Sequence, residues 1–219
     1  DVFRIGVATS KKPEGPFVAE KEPIKGSYSI DPSVFKDTNG SYYLYFGGIW
    51  GGQLQRWKGN TYLGKTDYPK KGETALLPRV AKLSADMKSF AEEVKEVKIL
   101  DENGKLLMED DKDKRFFEAA WVHKYNGKYY FSYSTGDTHY ICYATGDSPY
   151  GPFTYQGQIL QPVVGWTTHH SICEVAGKWY LFYHDSSLSE GVTHLRSIKM
   201  TEIFYDAEGK IQSIEPYLV

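Results

Sequence analysis

The sequence predicts an all-β fold assembled from repeated four-stranded units, the blade pattern of a β-propeller. Three observations predict it. One hairpin pattern recurs three times, a second strand-turn-strand pattern recurs beside it, and a 16% content of Phe, Trp and Tyr favours strands. The uneven spacing of the copies excludes a parallel α/β fold, in which strands alternate with crossover helices.

The first pattern occupies residues 31–46, 118–133 and 169–183. Each copy is a short apolar run, a turn ending at Gly40, Gly127 or Gly177, and an aromatic strand, which reads as a β-hairpin. The second pattern runs over 5–17 and 141–153, both closing on Gly-Pro-Phe, with a looser copy at 82–90. Hairpin plus hairpin gives a four-stranded unit, and repeated four-stranded units are propeller blades. Complete units are expected at 28–100, 115–160 and 165–215, with half a unit before them.

The copy at 141–153 follows its own hairpin, whereas the copy at 5–17 has only residues 1–4 before it. The chain is therefore expected to start inside a blade, as a single propeller domain over 1–219 truncated at its N-terminus. A ring needs about four or more blades to close, so at least a further half-blade is expected from elsewhere. There is no initiator Met or signal-peptide pattern at Asp1.

Composition narrows the partners. The formal net charge is -2, from 26 basic and 28 acidic residues spread along the chain, which leaves no electrostatic footprint for nucleic acid or anionic lipid. No apolar run reaches the roughly 18 residues of a membrane span. A neutral partner fits better, and abundant aromatic side chains offer flat platforms for sugar rings. Cys142 and Cys173 are too few for a disulfide framework and read as buried thiols.

Blade geometry gathers the connections of one end onto one face. Asp31, Glu118, the His169-His170 pair, the long loop 47–78 and the loop 184–194 all belong to it. Two carboxylates opening equivalent inner strands project toward the same central hole. Paired carboxyls are what glycosidic bond hydrolysis requires, one to protonate the leaving oxygen and one to activate water. The bland alternatives are an Asp-Pro turn for Asp31 and a strand-end carboxylate for Glu118. Counting back from the hairpin glycine puts Thr168 in register with the two acids, and a turn one residue shorter puts His169 there. Trp50, among glycines on the long loop, suits either sugar stacking or loop packing. The acidic stretch 109–115 lacks the central glycine of an EF-hand and reads as a solvated loop.

The motifs around Asp31-Pro-Ser, Phe-Phe-Glu118-Ala-Ala-Trp121, the Gly-Pro-Phe turns, Thr-Thr-His169-His170-Ser and His194-Leu-Arg196-Ser together resemble family-43 glycoside hydrolases. The branch resembled comprises β-xylosidases and α-L-arabinofuranosidases active on xylan-type polysaccharides. The resemblance implies a five-bladed propeller, with the first blade and half of the second absent here, and inverting hydrolysis by three acids. Glu118 matches the general acid and Asp31 the carboxylate that orients it and tunes its pKa; the general base has no counterpart. His169 matches a central-channel histidine, a metal position beside which many relatives bind calcium. Arg196 matches a substrate-contacting arginine, and Trp50, Trp121 and His170 are further candidate substrate contacts. An endo-arabinanase and a non-catalytic carbohydrate-binding propeller are the rival readings. Export to the periplasm or beyond the cell is the expected location.

Overall fold

The computed structural model describes residues 2–166 and 168–216, so Asp1, Thr167 of the histidine motif and the last three residues lie outside the description. Among the described residues the regular structure is β-strand, interrupted by three single-turn 3₁₀ helices, with no α-helix.

In chain order, β1 (Ala8–Thr9) and β2 (Val18–Ala19) form a short ribbon. β3 (Ser33–Lys36) and β4 (Tyr42–Phe46) open the first expected unit. An excursion carrying the ribbon of β5 (Trp57–Lys58) and β6 (Thr61–Tyr62) follows, and the sheet resumes with β7 (Arg79–Lys82) and β8 (Lys95–Glu96). The sheet order is β3-β4-β7-β8, the predicted four-stranded meander. After β9 (Ile99–Leu100) come β10 (Glu118–Tyr125), β11 (Lys128–Ser134), β12 (Ile141–Gly146) and β13 (Phe153–Leu160), again an antiparallel meander. β9 adds to its outer edge in parallel with β13.

The last sheet, β14 (His170–Val175), β15 (Lys178–Asp185) and β16 (Ser197–Ile203), has three strands where four were expected. The chain after β16 turns to the preceding sheet instead: Ile214 N–H donates to Ile159 O at 2.8 Å and Gln161 N–H to Ile214 O at 3.0 Å.

Alternation along the middle sheet explains how the sheets stack. Side chains of a strand point to opposite faces with period two. Phe131 and Tyr133 of β11, with Cys142 and Ala144 of β12, face one core together with Tyr45 and Phe46 of β4. Tyr130, Ile141 and Tyr143 face the other, with Ile172, Leu181 and Tyr183 of the last sheet. A sheet covered on both faces needs apolar residues at consecutive positions, and Tyr-Tyr-Phe-Ser-Tyr in β11 supplies them. Both cysteines are free, and burial pushes the Cys142 thiol up to about 12, so it behaves as an inert core residue.

Polar clasps fix how neighbouring sheets sit. Asp37, in the turn after β3, accepts from Tyr129 Oη at 2.7 Å and Lys124 Nζ at 3.1 Å on the next sheet. The Trp121 indole N–H donates to Ile172 O of the last sheet at 3.1 Å. The excursion after β4 is anchored by buried Arg79, whose Nε donates to Tyr28 Oη at 2.8 Å and whose guanidinium lies 3.3 Å from Glu96. Residues 109–115 are not the solvated loop expected. They wrap buried Arg115, which pairs with Asp137 at 3.0 Å and Glu109 at 3.3 Å.

Candidate active site

Asp31, two residues before β3, Glu118, the first residue of β10, and His169, the residue before β14, converge. His169 Nε2 lies 3.2 Å from Asp31 Oδ2 and 3.8 Å from Glu118 Oε1, and one ligand atom from each residue falls within 4.8 Å of the others. The two acids do lie close together, as expected, and of the two histidines His169 is the one between them.

A β-bulge resolves the register that the sequence leaves open. Glu118 pairs with Ser134 but Trp121 pairs with Ser132, so β10 carries one residue more than its partner strand. β14 pairs with β15 without a shift, from His170 opposite Tyr183 to Val175 opposite Lys178. Counting nine back from Gly127 reaches Glu118 only because of the extra residue. In the unbulged strand the equivalent position is His169 rather than Thr168. The bulge holds Ala119 at φ +63°, in the left-handed region, and bulges of this kind re-aim side chains. The Ala119 backbone N–H is thereby free to serve the Asp31 carboxylate.

The loop after β4 is tied to both acid-bearing strands. Ser29 Oγ donates to Gly52 O at 2.7 Å and accepts from Gly48 N–H at 3.0 Å, while Ile49 N–H donates to Phe117 O at 3.0 Å. Gly48 and Gly52 are required here because a Cβ on either would stand 2.6 or 2.8 Å from the Ile30 side chain. Residues flanking Asp31 and Glu118 thus share one rigid frame.

Two cavities meet at the trio. A recess of about 350 Å³ is lined by Asp31, Trp50, Glu118, Trp166, His169 and Arg196, among others. A smaller cavity of about 130 Å³ is lined by Asp31, Ser33, Trp121, His169 and His170. Of the predicted substrate contacts, Trp50 and Arg196 line the same recess as both acids. Trp121 and His170 line the smaller cavity. His170 is buried, shares a 2.6 Å hydrogen bond with Ser132 Oγ, and is held neutral because burial pushes its pKa down to about 3. Arg196 precedes β16 at the rim, its Nε donating to Thr193 O at 3.0 Å.

Burial sets the electrostatics. It pushes the Asp31 carboxyl up to about 6; His169 opposes that shift and the charge of Glu118 adds to it. Burial alone would push His169 down, but its hydrogen bond to Glu118 and the charges of Asp31 and Glu118 raise it above the ordinary histidine value. His184, which sequence reasoning missed, accepts the His169 backbone N–H on Nε2 at 3.1 Å. Burial lowers the His184 pKa to about 4, which keeps that acceptor neutral. Its only sequence signal is its place at the end of the third aromatic strand, in Tyr183-His184-Asp185.

A calcium ion takes six to eight oxygen ligands. The trio offers two carboxylate oxygens and one imidazole nitrogen, which does not make a calcium site by itself. What it does make is a partly buried carboxyl pair, bridged by an imidazole and open to a recess with aromatic and cationic walls. Among the described residues no helix is long and apolar enough to cross a membrane.

Residues 2–211 match the family model of glycosyl hydrolases family 43. A xylosidase/arabinosidase of Bacteroides ovatus is 65% identical over 98% of this chain and 66% of its own length. A xylosidase/arabinosidase of Humicola insolens is 64% identical over 98% of this chain and 68% of its own. Among solved structures, a family-43 β-xylosidase/α-arabinofuranosidase from a compost microbial metagenome, in complex with xylotriose and calcium-free, superposes with a TM-score of 0.97 at 65% identity, over 100% of this chain and 68% of that one. The chain thus spans about two thirds of the length of the relatives it matches.

Proposed function

Because the chain belongs to glycosyl hydrolase family 43, we propose that it carries the acid half of an inverting glycoside hydrolase acting on xylose- or arabinose-containing glycans, of β-xylosidase/α-L-arabinofuranosidase type. The observation that carries this reading is the convergence of Asp31 and Glu118 on His169 at the starts of successive sheets. Relatives named for xylosidase and arabinosidase activity support the substrate class.

Glu118 acts as the general acid, delivering its proton to the glycosidic oxygen as the bond breaks. Asp31 sits too close to it to act as an inverting base: their nearest oxygens are within 4.8 Å, whereas an acid and base separated by a water stand roughly 6.5–9.5 Å apart. Asp31 instead orients the acid as its neighbour; two adjacent carboxylates resist both being charged, and the charge of Glu118 adds to the burial that raises Asp31. His169 bridges the pair and balances its charge, and Arg196 receives sugar hydroxyls at the rim. The trio holds two acids, one fewer than this mechanism needs, so the base is assigned to a blade outside these 219 residues, in a five-bladed propeller. Calcium in the channel would draw most of its ligands from water, and no step is assigned to it.

The test is the stereochemistry of the full-length gene product on 4-nitrophenyl β-D-xyloside and α-L-arabinofuranoside, followed by proton NMR. Inversion, with no turnover by residues 1–219 alone, is expected. Retention would make Asp31 a nucleophile and overturn the assignment, and turnover by the 219 residues would place the base among them.

A further inference from the structure

We infer that Trp50 and Trp166 form the subsite for the leaving-group sugar, a splayed aromatic shelf that selects an oligosaccharide over a small alcohol as leaving group; this rests on the hydrolase reading above. Tryptophan is highly buried on average, so two that stand exposed in one recess call for a physical reason. Trp50 is 45% exposed and Trp166 43%, and both line the recess that holds Glu118. Their ring centroids are 5.9 Å apart and their planes 35° from parallel, so neither ring covers the other's face. Each is held by its edge or its back. Trp50 meets Phe117 edge to face at 5.1 Å, and Trp166 meets the His139 ring at 4.6 Å and 71°.

The shelf is built rather than incidental. Trp50 has φ +56°, a conformation rarely adopted by a bulky side chain. Its carbonyl is held there by Gln53 N–H at 3.0 Å and by the amide of buried Gln55 at 2.7 Å. Strain maintained by dedicated hydrogen bonds points to a role for the exposed ring. His139 also has a positive φ, +60°, and burial lowers its pKa, which keeps the ring behind Trp166 uncharged.

The position of the acid decides which sugar the shelf meets. A general acid stands beside the leaving oxygen, so the leaving sugar extends from the scissile bond past Glu118. Trp50 packs on Phe117, the residue before Glu118, while the smaller cavity with Trp121 and His170 lies on the Asp31 side of the trio. Arg196 lines the same recess as the two apolar rings, which suits a neutral sugar with hydroxyls at one edge and C–H groups on its face.

The experiment compares the full-length protein with Trp50→Ala, Trp166→Ala and Trp50→Phe on xylotriose and on methyl β-D-xyloside, whose leaving group is too small to reach the shelf. Each alanine variant is expected to lose about tenfold in kcat/KM on xylotriose, the scale of one aromatic stacking contact, and less than about twofold on the methyl glycoside. The phenylalanine variant, which keeps a flat ring, recovers most of the loss. Equal losses on both substrates, or none on either, would overturn the proposal. Should the parent hydrolyse neither substrate, the hydrolase reading fails, and xylotriose titrations followed by tryptophan emission read the shelf directly. Binding weakened about tenfold in the alanine variants supports it, and unchanged affinity overturns it.

Discussion

Asp31→Asn should stabilise the protein at neutral pH while reducing its activity. The Asp31 carboxyl is pushed from 3.8 to about 6 in the fold, chiefly by burial, so the folded chain binds its proton more tightly than the unfolded chain does. Between those two values the folded state holds more protons, and stability from this group therefore falls as pH rises from about 4 to 6. A shift of about two units corresponds to about 3 kcal/mol lost at pH 7.5, against about 0.5 kcal/mol at pH 4, where the unfolded chain is still half protonated. The side chain is only 17% exposed, so solvent screening removes little of this. Asparagine keeps the shape and the acceptor for the Ala119 N–H but never ionises. His169 acts in the same direction over a higher range: its raised pKa contributes stability below the ordinary histidine value that is lost as pH rises through the raised one. Thermal melts of parent and variant at pH 4 and 7.5 make the comparison. A gain of about 5–10 °C at pH 7.5 and little at pH 4 is expected, from about 2–4 °C per kcal/mol for a domain of this size. A variant less stable than the parent at pH 7.5, or equally stabilised at both values, would refute the reasoning.

Two further outcomes follow from particular contacts. Gly136→Ala places a Cβ 2.3 Å from the Phe117 ring in a backbone at φ +74°, and should cost about 2–4 kcal/mol in urea unfolding; an unchanged midpoint would show that the loop before β12 yields freely. Buried His123, its pKa pushed down to about 3, must take up a proton to unfold at mildly acid pH, so stability falls as pH drops from 6.5. His123→Phe loses the 2.7 Å bond to Tyr205 at every pH but should flatten that acid limb, and an unaltered slope of urea midpoint against pH would contradict the assignment.

The blade pattern was legible because it is local. A turn glycine, an aromatic strand and a Gly-Pro-Phe closure each specify their own hairpin, and three copies specify the stack. Asp31 and Glu118 were legible for the same reason, as the openings of equivalent strands. The position of His169 was not, because the extra residue at Ala119 leaves no mark in the spacing until the pairing of β10 with β11 is known. Trp166 and His184 escaped because their roles are contacts between distant loops: Trp166 with Trp50 and His139, and His184 with the His169 backbone. Arg115 read as one charge in a charged run, and only the fold over it reveals a buried cation held by Glu109 and Asp137. The missing fourth strand of the last sheet has a similar cause, since residues 204–212 turn back on themselves and Ile214 finds its backbone partner in the neighbouring sheet rather than its own.

The most direct test of the account is the leaving-group dependence of Glu118→Ala in the full-length protein. Protonation by a general acid contributes about a hundred- to ten-thousand-fold where the departing oxygen is basic, and little where it leaves as a stable anion. If Glu118 is the acid, the variant loses that factor on xylobiose and less than about tenfold on 2,4-dinitrophenyl β-D-xyloside. Equal losses on the two substrates would assign Glu118 another role and contradict the proposed mechanism at its centre.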